Sequence, residues 1–138
     1  MKHNCREELK VVALRVTPAR LGVLELLEKT DKPLDVITMI NYLERQGINA
    51  DPVTSFRIIN LFTEKGLTRR VQFQEGKFRY ELSSREDHHH LICMKCDSIQ
   101  DISDCGVELL EKRIKKKKKF LIKKHSLEFF GLCINCQK

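Results

Sequence analysis

The sequence predicts an α+β fold in which helices dominate the first half and short strands with paired cysteines dominate the second. Three observations support this prediction. Apolar residues recur at helical spacing up to about residue 64, and two alternating segments follow at residues 67–73 and 77–82. Two Cys-x-x-Cys pairs then stand at Cys93/Cys96 and Cys133/Cys136. With 138 residues, the chain has room for one ordinary domain or two small ones.

The first two helices are predicted from periodicity and from a start signal. Residues 4–14 carry Leu9, Val12 and Ala13 at helical spacing. Thr17-Pro18 combines a capping residue with proline at the first helical position, so a second helix is expected to begin there. Its buried stripe is expected to comprise Leu21, Val23, Leu24, Leu26 and Leu27.

A third helix is predicted after the loop at residues 30–34, and Gly47 provides its C-terminal stop. Its expected inward face comprises Val36, Met39, Ile40 and Leu43.

The fourth helix is predicted to begin at Asp51-Pro52, a second cap-plus-proline signal, and to continue through Glu64. Its expected core side is Val53, Phe56, Ile59 and Phe62, which leaves Thr54, Ser55 and Arg57 to face another surface. The segments 67–73 and 77–82 then predict a two-stranded hairpin. Helices followed by a hairpin predict a winged helix-turn-helix domain over residues 1–82.

Residues 83–86 are polar and predict a hinge, followed by a second domain over residues 87–138. Strands are predicted at residues 90–93 and 98–102 around the first cysteine pair. A helix is predicted at residues 106–117, and two further strands at 120–124 and 127–130.

The net charge of +7 and the pI near 9.2 favour an acidic partner, with nucleic acid as the first candidate. No segment is long and apolar enough to cross a bilayer, and the N-terminus lacks a signal-peptide core. We therefore expect a cytoplasmic protein without a membrane partner. In that compartment, six cysteines favour metal ligands or free thiols over disulfides. The lysine run at 115–119 leaves two readings open, a solvated helix face or a contact with phosphates.

Four thiolates in two close pairs match the tetrahedral coordination of a structural zinc ion, so Cys93, Cys96, Cys133 and Cys136 are predicted to bind Zn²⁺. Cys5 and Cys105 are expected to be free thiols. Strand residues two apart point to the same face, so His88 and His90 are expected to share one metal while His89 faces the other side.

Taken in order and spacing, these motifs resemble the ferric uptake regulator family between Leu14 and Cys136. The matching segments are residues 14–20, 53–57, 79–82, 88–96, 125–128 and 131–136. The resemblance implies a winged-helix DNA-binding domain followed by a small α/β dimerisation domain with the four-cysteine zinc site. It further implies a homodimer that represses transcription at a double-stranded DNA operator in response to a metal, and no enzymatic activity.

The resemblance also implies two sites besides the cysteines. Glu81, His88, His90 and Asp101 would form the sensory site, whose mixed nitrogen and oxygen ligands suit Fe(II), Mn(II), Co(II) or Zn(II). A third site would use Asp87, His89, Glu108 and His125, with structural hydrogen bonding as the alternative role for these residues.

One departure from the family concerns the loop after the second helix, which often supplies a histidine to the sensory metal. Residues 30–34 contain no histidine. Asp31, Asp35, His3 or a water are the candidate substitutes, and a site without this ligand is the remaining alternative.

The resemblance also bears on the metal. Zinc-responsive members usually carry a cysteine where this chain has Ser83, and peroxide sensors an aspartate where it has Glu81. These differences favour Fe²⁺ over a zinc-responsive or peroxide-responsive member.

For DNA contacts, the resemblance and the N-terminal part of the fourth helix indicate Arg15, Arg20, Thr54, Ser55, Phe56 and Arg57. Phe56 stands where the family has tyrosine, and a core position is its alternative role. Two rival functions stay open: a zinc hydrolase using His88, His90 and Glu81, and a zinc-stapled interaction module that does not bind DNA.

Overall fold

A computed structural model of the chain describes residues 4–73, 75–84, 88–103 and 105–138. The chain divides into two units, residues 1–85 and 86–138. The division falls inside the predicted hinge, of which residues 85 and 86 lie outside the described part of the chain. Two predicted ligands, His3 and Asp87, also lie outside it.

The N-terminal unit contains four helices, and each begins with a side-chain cap. They are α1 (Cys5–Val11), α2 (Pro18–Lys29), α3 (Val36–Arg45) and α4 (Pro52–Glu64). In every case the capping oxygen accepts a hydrogen bond from the backbone N–H three residues later, which satisfies a donor that the helix leaves unpaired. The caps are Asn4, Thr17, Asp35 and Asp51. The predicted starts at Thr17-Pro18 and Asp51-Pro52 are confirmed.

Helix ends follow the glycine signals in the sequence. Gly47 has φ +72° just beyond α3, and the backbone N–H of Ile48 donates to the carbonyl of Leu43 at 2.9 Å. Gly66 has φ +79° just beyond α4. Only glycine adopts this left-handed backbone without strain, so both positions end their helices.

A wing follows the helices. Strands β1 (Thr68–Gln72) and β2 (Phe78–Leu82) pair antiparallel, as the alternating segments predict. A single bridge between Leu34 and Tyr80 attaches the hairpin to the loop before α3. The winged helix-turn-helix prediction is confirmed.

The apolar core of this unit lies among α1 to α4 and β2. Helices α2 and α3 approach closely at Gly22, where an added Cβ would lie 2.5 Å from Leu43 Cδ2. The buried hydrophobic residues of the cluster are Cys5, Leu9, Val23, Leu24, Leu27, Val36, Met39, Leu43, Ile58, Ile59, Phe62, Tyr80 and Leu82.

The predicted core side of α4 is partly wrong. Ile59 and Phe62 are buried as expected, but Val53 and Phe56 are 58% and 47% exposed. The buried stripe is Ser55, Ile58, Ile59 and Phe62, which follows the i, i+3, i+4, i+7 spacing of one helix face. Ser55, which was expected to face another surface together with Thr54 and Arg57, therefore belongs to the core side.

The C-terminal unit contains strands β3 (His89–Cys93) and β4 (Ile99–Ile102), helix α5 (Val107–Lys118) and strand β5 (Glu128–Gly131). The sheet order is β4-β3-β5, with β3 antiparallel to β4 and parallel to β5. The strand predicted at residues 120–124 is wrong, because these residues form no regular structure. Strand β3 is already paired on both sides, so no vacant edge of that strand is available to them.

Few side chains of the C-terminal unit are buried. Among its described hydrophobic residues only Cys93 and Ile99 are buried, and α5 has no buried residue. None of the helices in the described part of the chain is long and apolar enough to cross a membrane.

Candidate metal centres

The four predicted zinc ligands converge at one end of the C-terminal sheet. The parallel register pairs Cys93 with Gly131, so the turn after β3 and the turn after β5 lie side by side. The sulfurs of Cys93, Cys96, Cys133 and Cys136 all lie within 4.8 Å of one another.

The sulfur spacing fits a zinc ion. Cys96 Sγ and Cys133 Sγ are 3.8 Å apart. A tetrahedral ion with Zn–S bonds of about 2.3 Å places its sulfurs about 3.8 Å apart. The cluster therefore has the donor set and the dimensions of a closed structural site.

Backbone amides prepare the cluster for a cation. The N–H of Cys133 donates to Cys93 Sγ at 3.4 Å. Hydrogen bonds from Cys133 and the Cys96 and Lys95 amides lower the pKa of the Cys93 thiol to about 6. The Cys136 thiol donates to Cys133, which lowers the pKa of Cys133 and raises the pKa of Cys136 to about 12. Such hydrogen bonds stabilise thiolates, the form that binds zinc.

A second group of donors forms where β3 pairs with β4. His88 Nε2 and His90 Nε2 are 3.2 Å apart, and the register places Asp101 opposite His90. Asp101 Oδ1 lies 3.9 Å from His88 Nε2 and 3.7 Å from His90 Nε2. Two imidazole ligands at about 2.0–2.1 Å from one ion stand about 3.0–3.4 Å apart, so the histidine pair fits a shared metal. A small rotation of the exposed Asp101 side chain would bring its oxygen to the same spacing.

Glu81 belongs to the N-terminal unit, where it lies on β2 and is 3% exposed. Its carboxylate accepts a hydrogen bond from Arg69 Nε at 2.9 Å, across the β1–β2 pair. Arg69 was not predicted as a partner of Glu81, because the contact depends on the register of the hairpin. The guanidinium of Arg69 gives this buried carboxylate a charged partner.

On the opposite face of β3, His89 Nε2 lies 3.0 Å from His125 Nε2. Burial first, and the neighbouring His125 second, lower the pKa of His89, which favours the neutral, metal-binding imidazole. His125 Nδ1 lies 2.7 Å from Glu111 Oε1. The predicted ligand Glu108 is exposed on α5, and Glu111, one turn later, is the carboxylate that contacts His125.

The two ring nitrogens of His125 point to different partners, which decides whether His89, His125 and Glu111 can bind one metal ion. One ring nitrogen faces His89 and the other faces Glu111. Because an imidazole ligates through one nitrogen, Glu111 orients the ring and does not converge with the histidines on one ion. His89 and His125 are therefore the two members of the predicted third site that the described structure brings together.

Asp35, one candidate substitute for the family's loop histidine, is already engaged. Its Oδ1 caps α3 through the Thr38 N–H at 2.8 Å, and its Oδ2 lies 2.6 Å from Lys77 Nζ. Partial burial raises the pKa of this carboxyl, but hydrogen bonds from Lys77 and Thr38 outweigh burial and lower the pKa to about 2. Asp35 is therefore a structural residue of the N-terminal unit. Asp31 is exposed in the same loop.

The predicted DNA-contacting residues separate into two groups. Thr54, Phe56 and Arg57 are exposed in the first turns of α4, whereas Ser55 is 1% exposed. The prediction for Ser55 is wrong, because its side chain faces the core and cannot reach a base. Arg15 is exposed and Arg20 is half-buried, and the Arg20 guanidinium donates to the Arg15 carbonyl at 2.8 Å.

Comparison with known proteins decides the family. Residues 12–130 match the ferric uptake regulator family. The chain belongs to this family. The Ferric uptake regulation protein of Bordetella parapertussis is 31% identical over 134 residues, which cover 96% of each chain. The predicted resemblance is confirmed.

Solved structures agree with this assignment. The ferric uptake regulator of Vibrio cholerae is 31% identical, has a TM-score of 0.80 and matches 93% of this chain and 98% of its own. The ferric uptake regulator of Francisella tularensis, solved with iron, is 29% identical with a TM-score of 0.80, over 100% and 99% of the two chains. The predicted fold class is confirmed.

Membership of this family identifies a transcription regulator that binds metal. Members of the family are regulators and not enzymes. The zinc hydrolase therefore loses its support, because members of this family are regulators.

Proposed function

We propose that this family member is a metal-dependent DNA-binding repressor that senses Fe²⁺ or a related divalent metal. The observation that carries the proposal is the convergence of His88, His90 and Asp101 in a chain that also contains a winged helix. Metal binding is proposed to raise the affinity for the operator by linkage, typically about 1–3 kcal/mol of coupling.

Two metals have different roles in this proposal. The four cysteines hold a structural Zn²⁺, because a closed set of four thiolates leaves no position for exchange. The histidines and carboxylate hold the sensory ion, since mixed nitrogen and oxygen ligands bind divalent ions less tightly and more exchangeably. The iron named with the Francisella tularensis structure supports Fe²⁺, and the alternatives are a zinc-responsive or peroxide-responsive member.

Glu81 is proposed as a further carboxylate ligand, as the family resemblance implies. Its position at the end of the wing, two residues before the start of the hinge at Ser83, supports this role. A metal would share the Glu81 carboxylate with Arg69 or replace Arg69 as its partner. His89 and His125 are proposed to hold a third, more weakly bound metal. Asp87 and Glu108 stay predicted ligands of that third site.

The proposed DNA contacts come from the exposed side of α4 and from the segment before α2. Arg57 would contact a guanine edge or a phosphate, and Phe56 would contact thymine methyl groups. Thr54 lies beside them at the helix start. Arg15 and Arg20 would contact the backbone or the minor groove.

The proposed partner for the C-terminal unit is a second copy of the chain. Large exposed apolar side chains concentrate in this unit, which buries little of its own surface. They include Ile102, Leu109, Leu110, Phe120, Leu121, Phe129, Phe130, Leu132 and Ile134. A twofold dimer would present two winged-helix units to an operator with two half-sites.

In the decisive experiment, the metal-loaded protein first selects a duplex from a pool of random sequences. Its affinity for that duplex is then measured with and without the sensory metal. The sensory metal is removed by mild chelation, and elemental analysis verifies that zinc is retained. We expect the metal to tighten binding by about 5- to 150-fold. His90→Ala should abolish this response, whereas the matched control His125→Ala should keep most of it, because it leaves the His88/His90 pair intact.

Repeating the titration anaerobically with Fe(II), Mn(II) and Zn(II) identifies the preferred ion. Equal DNA affinity with and without every metal would rule out metal control. Failure to enrich any duplex from the random pool would instead favour the zinc-stapled interaction module.

A further inference from the structure

The strongest charge feature of the chain lies outside the winged helix. Residues 112–124, which we call the basic segment, contain nine basic and no acidic side chains. The rest of the chain contains 17 basic and 19 acidic residues. The net positive charge of the protein therefore comes entirely from this segment.

The segment presents its charge to solvent. Its nine basic side chains are all exposed, and in the described part of the chain none of them forms an ion pair or hydrogen bond. Helix α5 turns Val107, Glu111 and Ile114 to its half-buried side, at i, i+4, i+7 spacing. At 100° per residue, Lys112, Arg113 and Lys116 occupy the opposite, outward side.

Helix stability does not account for so many cations. A basic residue in the last turn complements the helix dipole, and Lys115 to Lys118 all lie there. Like charges three and four residues apart repel each other, as Lys112 and Lys116 do. After the first one or two lysines, each added cation therefore works against the helix. An anionic partner would relieve this repulsion.

We propose that the basic segment is a second DNA-binding surface, which contacts duplex phosphates beside the operator bound by α4. The inference rests on the proposed function of the winged helix. Duplex DNA carries one negative charge per about 1.7 Å of its axis, a density that complements a lysine-rich helix. Once α4 has bound the operator, the basic segment belongs to the same bound molecule, so its local concentration near the flanking phosphates is high.

The composition of the segment specifies what kind of contact it makes. It contains no Asn, Gln, Ser or Thr, and only Arg113 has the forked geometry that reads guanine. Lysines bind phosphate as point charges. The segment therefore adds affinity without sequence discrimination, and its contribution falls steeply with salt.

A membrane surface fits α5 less well than DNA does. A helix that lies on a lipid surface needs an exposed apolar face opposite its charges. Helix α5 does expose Leu109, but Leu109 stands seven residues before Lys116 and so lies on the charged, outward side. The side opposite Lys112 and Lys116 centres on Val107 and Ile114, which are half-buried, so α5 has no continuous exposed apolar face opposite its charges.

The test compares two triple variants that each remove three positive charges. Lys112→Gln/Arg113→Gln/Lys116→Gln changes the outward side of α5. The control, Arg6→Gln/Lys65→Gln/Lys138→Gln, removes three exposed cations elsewhere. Affinity of the metal-loaded protein is measured over a salt series for the selected duplex and for a scrambled duplex of equal length.

We expect the α5 variant to lower the slope of log affinity against log salt by about 2 to 3 on both duplexes, since each phosphate contact contributes about 0.9. The control should change the slope by less than about 1. The affinity ratio between the two duplexes should not change. Equal slopes for both variants would overturn the inference.

Two further arms separate the possible failures. Arg57→Ala should abolish discrimination between the two duplexes, and the part of the salt slope that comes from the basic segment should stay. If discrimination stays intact, the proposed role of α4 is contradicted and that of the basic segment is not. The second arm measures binding to phosphatidylserine vesicles. If the α5 variant loses vesicle binding while its slope of log DNA affinity against log salt is unchanged, the segment binds membranes and the proposal is overturned.

Discussion

The two units of this chain are stabilised in different ways. The N-terminal unit buries a continuous apolar cluster that runs from Cys5 to Leu82. The described part of the C-terminal unit buries only Cys93 and Ile99 among its hydrophobic residues. One of those two is itself a member of the cysteine cluster.

This difference indicates why the metal ligands lie where they do. A unit of about 50 residues with little buried surface is marginal without a metal, a disulfide or a partner chain. Four cysteines join the turns after β3 and β5, and exposed apolar side chains are available for a second copy. We infer that metal ligation and association with a second copy stabilise the C-terminal unit, whereas the apolar core stabilises the N-terminal unit.

The largest expected effect comes from removing a zinc ligand. Cys133→Ser should abolish stoichiometric zinc and unfold the C-terminal unit, because structural zinc binding contributes about 10–16 kcal/mol in small zinc-stabilised domains. Hydrogen exchange should show loss of protection in β3 to β5 and retention in α2 to α4. Elemental analysis measures the zinc.

The control for this prediction is Cys105→Ser. Cys105 lies outside the cluster, and within the described residues its thiol makes only a weak contact, with the Ile102 carbonyl at 3.8 Å. Zinc content and protection should match the unsubstituted protein. Protected strands in a zinc-free Cys133→Ser protein would contradict the comparison between the units.

A core truncation should produce the opposite pattern. Phe62 is fully buried in α4, so Phe62→Ala should lower the free energy of unfolding of the N-terminal unit by about 3–5 kcal/mol. Zinc content should not change. Denaturant unfolding of the zinc-loaded protein measures the effect.

Phe56→Ala on the same helix is the matched control. Because Phe56 is 47% exposed, its truncation should change the free energy of unfolding by less than about 0.5 kcal/mol. It should instead weaken DNA binding. A large loss of stability would show that Phe56 contributes to the core and would contradict this prediction.

The smallest expected effect concerns Ser55. Its hydroxyl is buried, and it has no hydrogen-bond partner within the residues that the structure describes. Ser55→Ala removes the unsatisfied group, so the N-terminal unit should gain up to about 1 kcal/mol in thermal or denaturant unfolding. DNA affinity should stay the same, whereas Thr54→Ala should lower it. Weaker DNA binding by Ser55→Ala would restore Ser55 as a contact residue.

Local signals were sufficient for much of the molecule. Capping residues and glycines identified the helices, because they act within one turn of the chain. The Cys-x-x-Cys pairs identified the zinc cluster, because two cysteines three apart chelate the same ion in almost any fold. His88 and His90 were likewise paired by strand alternation alone.

The errors arose where an outcome depended on residues distant in sequence. The strand predicted at 120–124 is absent, and the sheet contains only β4, β3 and β5 among the described residues, an arrangement that depends on long-range pairing. The contact between Glu111 and His125 was not predicted, since the rotation of α5 relative to His125 is a tertiary property. Asp35 and Glu81 likewise acquired Lys77 and Arg69 through contacts that the sequence does not display.

By itself, the sequence determined most of the helices and strands, which four cysteines cluster, and where the positive charge resides. Only the tertiary structure decided that α4 buries Ser55 and exposes Phe56, and which carboxylates are already engaged. The physical reason is range. Caps, chelates and charge runs act between neighbouring residues, whereas burial and pairing depend on which distant surfaces meet.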